Sequence, residues 1–500
     1  MFTASETPVV AAVVIVAFGI LGWGFVRAKP FGKLGILAWL QSVVLMTPWL
    51  VFFGLFAAGI YLNIVGVLAL LVVSVVIYVA IGRQLRAAGQ DVILRQKAAA
   101  RMAANAQEAE NSEDKANNQS GEDAAVAQLQ ILPIPNQDIE VIRGIFGIDT
   151  FFATQTIPYQ EGVIFNGNLR GDVETTYSQL TASLEERLPG KYRLFLIENN
   201  DGKPVVVILP TRNDPRPSTT AQKVFAGFLL MATLGTSLEA AGILQGFDFF
   251  ANPARYLEVL PIGLGIFASL IAHELGHWFA ARRYQVRLSW PFFLPAVQIG
   301  SFGAITRFES LLPHRQALFD IAIAGPAFGG IVSLMMLIAG LLLSGGDQPF
   351  QLPREFFQGS VLVGTIAKVI LGATLQSELV PIHPLVIVGW IGLVITALNL
   401  VPAGQLDGGR IVQAIYGRKT LGRTTFATVA VLGLVGLGNP LALYWVIVIL
   451  FLQRNVERPS LNELTEPDDA RAALGLLALF LMIATLLPLT PGLAGKLGLG

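Results

Sequence analysis

Apolar runs of spanning length recur along most of the chain, and a single polar interval separates them into two groups. About 20 predominantly apolar residues cross a bilayer core as a helix. Runs over Val9–Val26, Leu34–Ile60 and Ile64–Ile81 predict the first group, with Pro48 tolerated as a kink in the second. Runs over Val224–Leu244, Leu257–Ala281, Ala317–Leu343 and Leu385–Leu400 begin the second group. Thr425–Leu437 and Leu441–Leu452, split by Gly438-Asn-Pro440, predict a hairpin of short spans, and Ala472–Leu487 a last one. The expectation is a polytopic α-helical membrane protein with about ten crossings.

Basic residues orient these spans. Arg27, Lys29 and Lys33 follow the first, Arg83 and Arg86 the third, and Arg282, Arg283 and Arg287 the Leu257–Ala281 run. Lysine and arginine collect on the cytosolic side or its equivalent, so both termini are expected outside. Val361–Leu379 is long enough to span, but Lys368 and Glu378 interrupt it. Were it a span, Arg410, Arg418, Lys419 and Arg423 would lie outside. It is therefore expected as an amphipathic or partly re-entrant segment on the outer surface. Trp290–Ile305 is apolar but rich in Pro and Gly. Unpaired backbone cannot face lipid, so a re-entrant loop or hairpin lining a protein cavity is expected there.

The polar interval has two parts. From Ala87 to about Gln130, Ala, Gln, Asn, Glu and Ser dominate, the composition of a disordered linker. From Ile131 to about Arg212 a small soluble α+β domain is expected. Gly162–Phe165 reads as a strand, Thr175–Leu188 as an amphipathic helix, and Tyr192–Ile197 and Pro204–Leu209 as strands joined by a turn at Asn200-Asp-Gly202. Asn166-Gly-Asn-Leu-Arg-Gly171, taken alone, is a polar glycine turn. The expected division is residues 1–86, a three-span block; 87–130, linker; 131–217, soluble domain; 218–410, an intramembrane core; and 411–500, C-terminal helices.

Composition narrows the chemistry. The chain is 53% hydrophobic and 14% charged, against about 25% charged for soluble domains. The 34 basic and 34 acidic residues balance, which leaves no nucleic-acid footprint. With no cysteine, any metal must be held by histidine and carboxylate.

One span carries His273-Glu-Leu-Gly-His277. Two histidines four apart project from one helical face, the spacing at which they hold one tetrahedral zinc. Glu274 falls beside the open position, where a carboxylate takes a proton from water. Ionisable groups at bilayer depth cost about 2.5–3.5 kcal/mol on insertion scales, so they point to function. The Leu385–Leu400 span delivers Asn399-Leu-Val-Pro-Ala-Gly-Gln-Leu-Asp-Gly-Gly409 to the same depth. Asp407 supplies a third ligand at the unwound end of a helix, between glycines that let backbone approach a metal. Two histidines and a carboxylate leave one zinc position open, a catalytic pattern. The Asn399 amide could hold a substrate strand or stabilise oxyanion charge.

These paired motifs resemble the site-2 protease family of intramembrane zinc metalloproteases, which joins H-E-x-x-H on one core helix to N-x-x-P-x-x-x-x-D-G on another. Asn399, Pro402, Asp407 and Gly408 match the second motif. The resemblance covers roughly Val224–Gly409 and implies His273, His277 and Asp407 as zinc ligands and Glu274 as the base. Gly167-Asn-Leu-Arg170 is similar to a motif of the chloroplast and cyanobacterial branch, the ethylene-dependent gravitropism-deficient and yellow-green proteins. Its role there does not follow from the residues. No Ser-rich, Arg-rich transit segment precedes the first span, so a plasma or thylakoid membrane of a cyanobacterium-like organism is expected, with the site toward the cytosol. The implied function is peptide hydrolysis in or near the bilayer, with membrane-protein or peptide substrates. A membrane metal transporter and a non-proteolytic scaffold are the competing readings. A transporter needs no glutamate beside the first histidine, and no inverted repeat is evident.

Overall fold

The computed structural model describes residues 21–57 except 30 and 31, scattered positions between 66 and 84, and residues 134–489 except 160, 200, 201, 347–349 and 452–455. Residues 9–20 of the first expected span and the whole of the expected linker thus lie outside the described residues. The chain divides into two compact units, residues 1–130 with 426–454, and residues 131–425 with 455–500. In the first unit, α1 (Gly32–Ala57) occupies the second expected span with Pro48 inside it.

The second unit begins with the soluble domain. Helix α2 (Asn136–Arg143) precedes strands β1 (Phe151–Tyr159) and β2 (Gly162–Leu169), helix α3 (Val173–Arg187), and strands β3 (Tyr192–Glu198) and β4 (Pro204–Pro210). The sheet is antiparallel in the order β1-β2-β4-β3. Asp172 caps α3 by accepting from the Thr175 amide, and Thr176, Leu180 and Leu184 are the helix's buried face. They pack on Phe151, Val163, Phe165, Leu194, Leu196, Val206 and Ile208.

Two features of this domain differ from the sequence reading. Strand β1 was not expected; its Phe-Phe-Ala-Thr-Gln-Thr-Ile-Pro-Tyr holds a proline and turns mostly exposed residues outward, as an edge strand does. Without β1, its partner β2 reads too short. Gly167, Asn168 and Leu169 are therefore strand residues paired with Ala153, Phe152 and Phe151, not a turn. A side chain at Gly167 would lie 2.7 Å from the Phe151 ring and closer still to the Phe152 carbonyl, so glycine is required by close strand packing. Leu169 packs on the core, while Asn168 and Arg170 are exposed.

The membrane part follows. Among the described residues four helices are long and apolar enough to cross a bilayer: Thr220–Leu244 (α4), Pro253–Arg283, Arg315–Leu342 (α6) and Asp469–Leu486 (α11). The second contains α5 (Tyr256–Arg283) after a short 3-10 turn. Thr219 and Gln222 form a capping box that starts α4. Trp290–Ile305 folds as the hairpin β5 (Phe292–Ala296) and β6 (Gly300–Ile305), packed beside α4. Val361–Leu379 is a short helix, α7 (Val361–Leu371), followed by a 3-10 turn. Strand β8 (Leu379–Ile382) then pairs with β7 (Phe350–Pro353). At ~1.5 Å per residue, α7 is too short to cross.

Helix α8 (Pro384–Asn399) is capped by His383, whose Nδ1 accepts from the Leu385 amide. After a loop, α9 (Asp407–Val435) runs on past a break at Gly417, and α10 (Pro440–Phe451) follows. Helices α5, α6 and α8 pack against one another.

Candidate active site

α5, α6, α8, the start of α9 and the hairpin meet at one cleft. Histidine side chains four apart on α5 place His273 and His277 together, with ring centroids 4.8 Å apart. Both are buried. Asp407 is the first residue of α9 and is also buried. Its Oδ2 lies 3.1 Å from His273 Nε2 and 3.4 Å from His277 Nε2, and the two Nε2 atoms are 3.1 Å apart. Sequence reasoning placed Asp407 at the unwound end of a helix; it instead opens the next helix, where the N-terminal dipole favours a carboxylate. Its flanking glycines serve the loop. A side chain at Gly408 would lie 2.7 Å from the Val401 carbonyl, and one at Gly409 2.6 Å from the Ala403 carbonyl.

The donor atoms suit zinc. In a tetrahedral site with bonds of about 2.0–2.1 Å, ligand atoms stand roughly 3.3–3.4 Å apart. The hydrogen-bond pattern points the same way. His277 Nδ1 is 2.7 Å from the carbonyl of Ile321, which can only accept, so that nitrogen carries the proton. His277 Nε2 is then a lone pair facing another imidazole and a carboxylate. With both imidazoles neutral and His273 in the same tautomer, three acceptors turn toward one point, an arrangement that a cation satisfies.

Glu274 lies next to this triad, with its ligand atom within 4.8 Å of those of both histidines. Thr306, just after β6, donates its hydroxyl to Glu274 Oε2 at 2.7 Å and so orients the carboxylate. Asn399, the last residue of α8, lines the same cleft with His273, Glu274, Gly303 and Ala304. Its Nδ2 donates to the Ile395 carbonyl at 3.1 Å, and its amide packs on Gly303, whose φ of +104° and missing side chain admit it. The remaining free volume in the cleft is about 10 Å³, on the order of one water. Gly167, Asn168, Leu169 and Arg170 belong to the soluble sheet and are not part of this cleft.

Small residues on α6 let it approach the two histidines. A side chain at Gly325 would overlap the His277 ring, and one at Gly329 would lie 2.9 Å from His273 Cβ. The Ala324–Gly330 run signals close packing in the sequence, but not that the packing is onto the histidines themselves. Thr306 gives no sequence signal, since one threonine after an apolar hairpin is unremarkable.

Comparison with known proteins places the chain in a family. Residues 262–437 match peptidase family M50, and residues 140–215 match the EGY3 middle domain. Probable zinc metalloprotease EGY1, chloroplastic, of Arabidopsis thaliana is 39% identical over 402 residues, 73% of each chain. The chain belongs to peptidase family M50. Probable zinc metalloprotease EGY2, chloroplastic, of the same plant is 40% identical over 363 residues, 71% of this chain and 65% of that protein. Probable zinc metallopeptidase EGY3, chloroplastic, is 32% identical over 384 residues, 71% of this chain and 66% of its own length. The match to EGY2 thus spans just under two thirds of that relative. No solved structure matches. The branch expected from Gly167–Arg170 is the one these relatives occupy.

Proposed function

We propose that the chain is an intramembrane zinc endopeptidase that hydrolyses peptide bonds of membrane-protein substrates. The observation that carries the reading is the convergence of His273, His277 and Asp407 donor atoms within 3.4 Å, with Glu274 held beside them by Thr306. His273, His277 and Asp407 would hold the zinc, which when bound acidifies water to a pKa of about 7 and polarises a carbonyl oxygen. Glu274 accepts the proton of the attacking water as the C–O bond forms. It returns that proton to the amine nitrogen as the C–N bond breaks. Asn399 offers its amide to the substrate backbone.

Helical peptide bonds are internally paired, so a substrate span must unwind to present its carbonyl. The β5–β6 hairpin at the cleft offers backbone for an extended substrate strand. Arg282 and Arg283 at the end of α5, and Arg287 just after it, favour a site on the cytosolic or equivalent side of a plasma or thylakoid membrane, in a chain of about ten crossings. The test is Glu274→Gln with a co-expressed membrane substrate. Bound zinc without cleavage is expected; retained cleavage excludes Glu274 as the base, and metal flux in proteoliposomes without proteolysis would favour a transporter.

A further inference from the structure

Arg410 is a buried cation that the proposed chemistry leaves unused. It stands three residues after Asp407 on α9 and is 6% exposed. Its guanidinium reaches groups from three separate parts of the chain. Nη1 is 3.8 Å from Asp407 Oδ1, the oxygen that does not face the histidines. Nη2 donates to the Thr306 carbonyl at 2.7 Å, and the Thr306 hydroxyl holds Glu274. Nε and Nη2 donate to Glu457 Oε1 at 3.0 and 2.8 Å. One planar fork therefore fixes the helix turn that carries the third ligand and the residue that orients the base. A lysine, with its point charge, cannot make this set of bonds.

Glu457 is buried too, on the segment 456–466 that leads to α11. Gln413 on α9 fastens it, donating to the Glu457 carbonyl at 3.2 Å and accepting from its amide at 3.0 Å. A few residues on, the same segment completes the soluble sheet at its edge strand. The Leu196 amide donates to the Leu461 carbonyl at 2.8 Å, and the Glu463 amide donates to the Leu196 carbonyl at 2.9 Å. Leu461 and Asn462 also donate to the carbonyls of Leu312 and Pro313 just before α6, each at 2.9 Å. The segment is a strap from β3 of the soluble domain to the buried anion beside the site.

We propose that Arg410 is a positioning residue that aligns Asp407 and, through Thr306, Glu274, and that Glu457 makes this alignment depend on the strap being seated on the soluble sheet. This rests on the reading of Asp407 as ligand and Glu274 as base. A buried ion pair alone is weak support for stability. What singles this one out is that its cation also contacts the ligand and the support of the base, while its anion sits on a segment paired with both β3 and the chain before α6. The soluble domain thereby acquires a route to the rate of cleavage that needs no contact with substrate.

The experiment uses the full chain in detergent, with a membrane substrate, metal analysis and the visible spectrum of the cobalt-substituted protein. The variants are Arg410→Lys, Arg410→Gln, Glu457→Gln and Glu463→Pro, the last removing the amide that binds Leu196. We expect kcat to fall about 10–100-fold for both Arg410 variants, as for other outer-shell partners of a metal site. KM should stay within about threefold, and the cobalt spectrum should change. Glu457→Gln and Glu463→Pro should lower kcat in the same way with metal content unchanged. Wild-type kcat and cobalt spectrum in Arg410→Lys would overturn the positioning role even if Arg410→Gln fails to fold. Wild-type turnover in Glu463→Pro would overturn the link to the soluble domain. Cleavage by Glu274→Gln would instead sink the underlying reading, and the cobalt spectrum would still decide the case of Arg410.

Discussion

Gly325→Ala tests whether the closeness of α6 to the histidines is what shapes the site. The added methyl would lie 2.5 Å from His277 Cε1 and 2.6 Å from Cδ2, and closer still to Nε2, the atom turned toward Asp407. Ordinary contact begins at 3.4 Å, so a gap of more than about 0.9 Å must open. α6 cannot simply retreat alone, because Gly276 of α5 rests against the backbone of Ala324 and Gly325, and His277 Nδ1 is bonded to Ile321 on α6. Either the ring turns or the two helices separate, and both stretch donor distances of 3.1–3.4 Å beyond what a tetrahedral zinc spans.

A misplacement of about 1 Å at a reacting centre is worth on the order of 100-fold in rate, and overpacking costs about 1–3 kcal/mol of stability. The matched control is Gly330→Ala, whose methyl would meet Thr396 Cγ2 at an ordinary 3.5 Å. In a helix that change should be neutral or favourable by up to about 1 kcal/mol. The assay is zinc content, thermal unfolding and cleavage of the same membrane substrate. Gly325→Ala should lose zinc affinity and at least about 100-fold in kcat/KM, while Gly330→Ala behaves as wild type. If Gly325→Ala retains zinc and cleaves at a wild-type rate, the packing argument is wrong.

Two further outcomes follow from the soluble domain and its junction with the membrane part. Gly167→Ala should lower the unfolding temperature of the full chain by overpacking β1 against β2, while Arg170→Ala, at an exposed position, should leave it unchanged; the reverse order would show that the motif is not a packing device. His314 caps α6 by accepting from the Ala317 amide at 3.2 Å. Burial holds its pKa below 6.5, helped by Arg471 and opposed by Glu174 and Asp320, with the Tyr284 ring packed beside it. Its cap contribution, about 0.5–2 kcal/mol, is therefore present above pH 6.5 and lost as pH falls through the lowered value. Unfolding followed from pH 8 to 5 should show that loss in the wild type and less of it in His314→Asn, which caps without titrating; parallel curves would refute it.

What could be read from the residues alone, and what could not, divides along local and non-local lines. The H-E-x-x-H spacing is local, since helix geometry alone puts His273 and His277 on one face. Asp407 is 130 residues beyond His277, yet it was legible because its depth in the membrane followed from the spans between them and from where the arginines fall. Strand β1 was missed because an edge strand carries little hydrophobic pattern, and with it went the strand character of Gly167–Leu169. Thr306, Arg410 and Glu457 were missed for a different reason. Each is an ordinary polar residue whose meaning is its partner, and the partners are 32, 104 and 47 positions away. Glutamate on a strap and arginine one turn into a helix look like surface charge until the fold buries both. In this chain, then, the proposed ligand set is written in spacing and depth, but the parts proposed to aim it are written only in contacts. Those contacts run outward to the soluble sheet, which is why a domain with no ligand in the cleft can still bear on the chemistry done there.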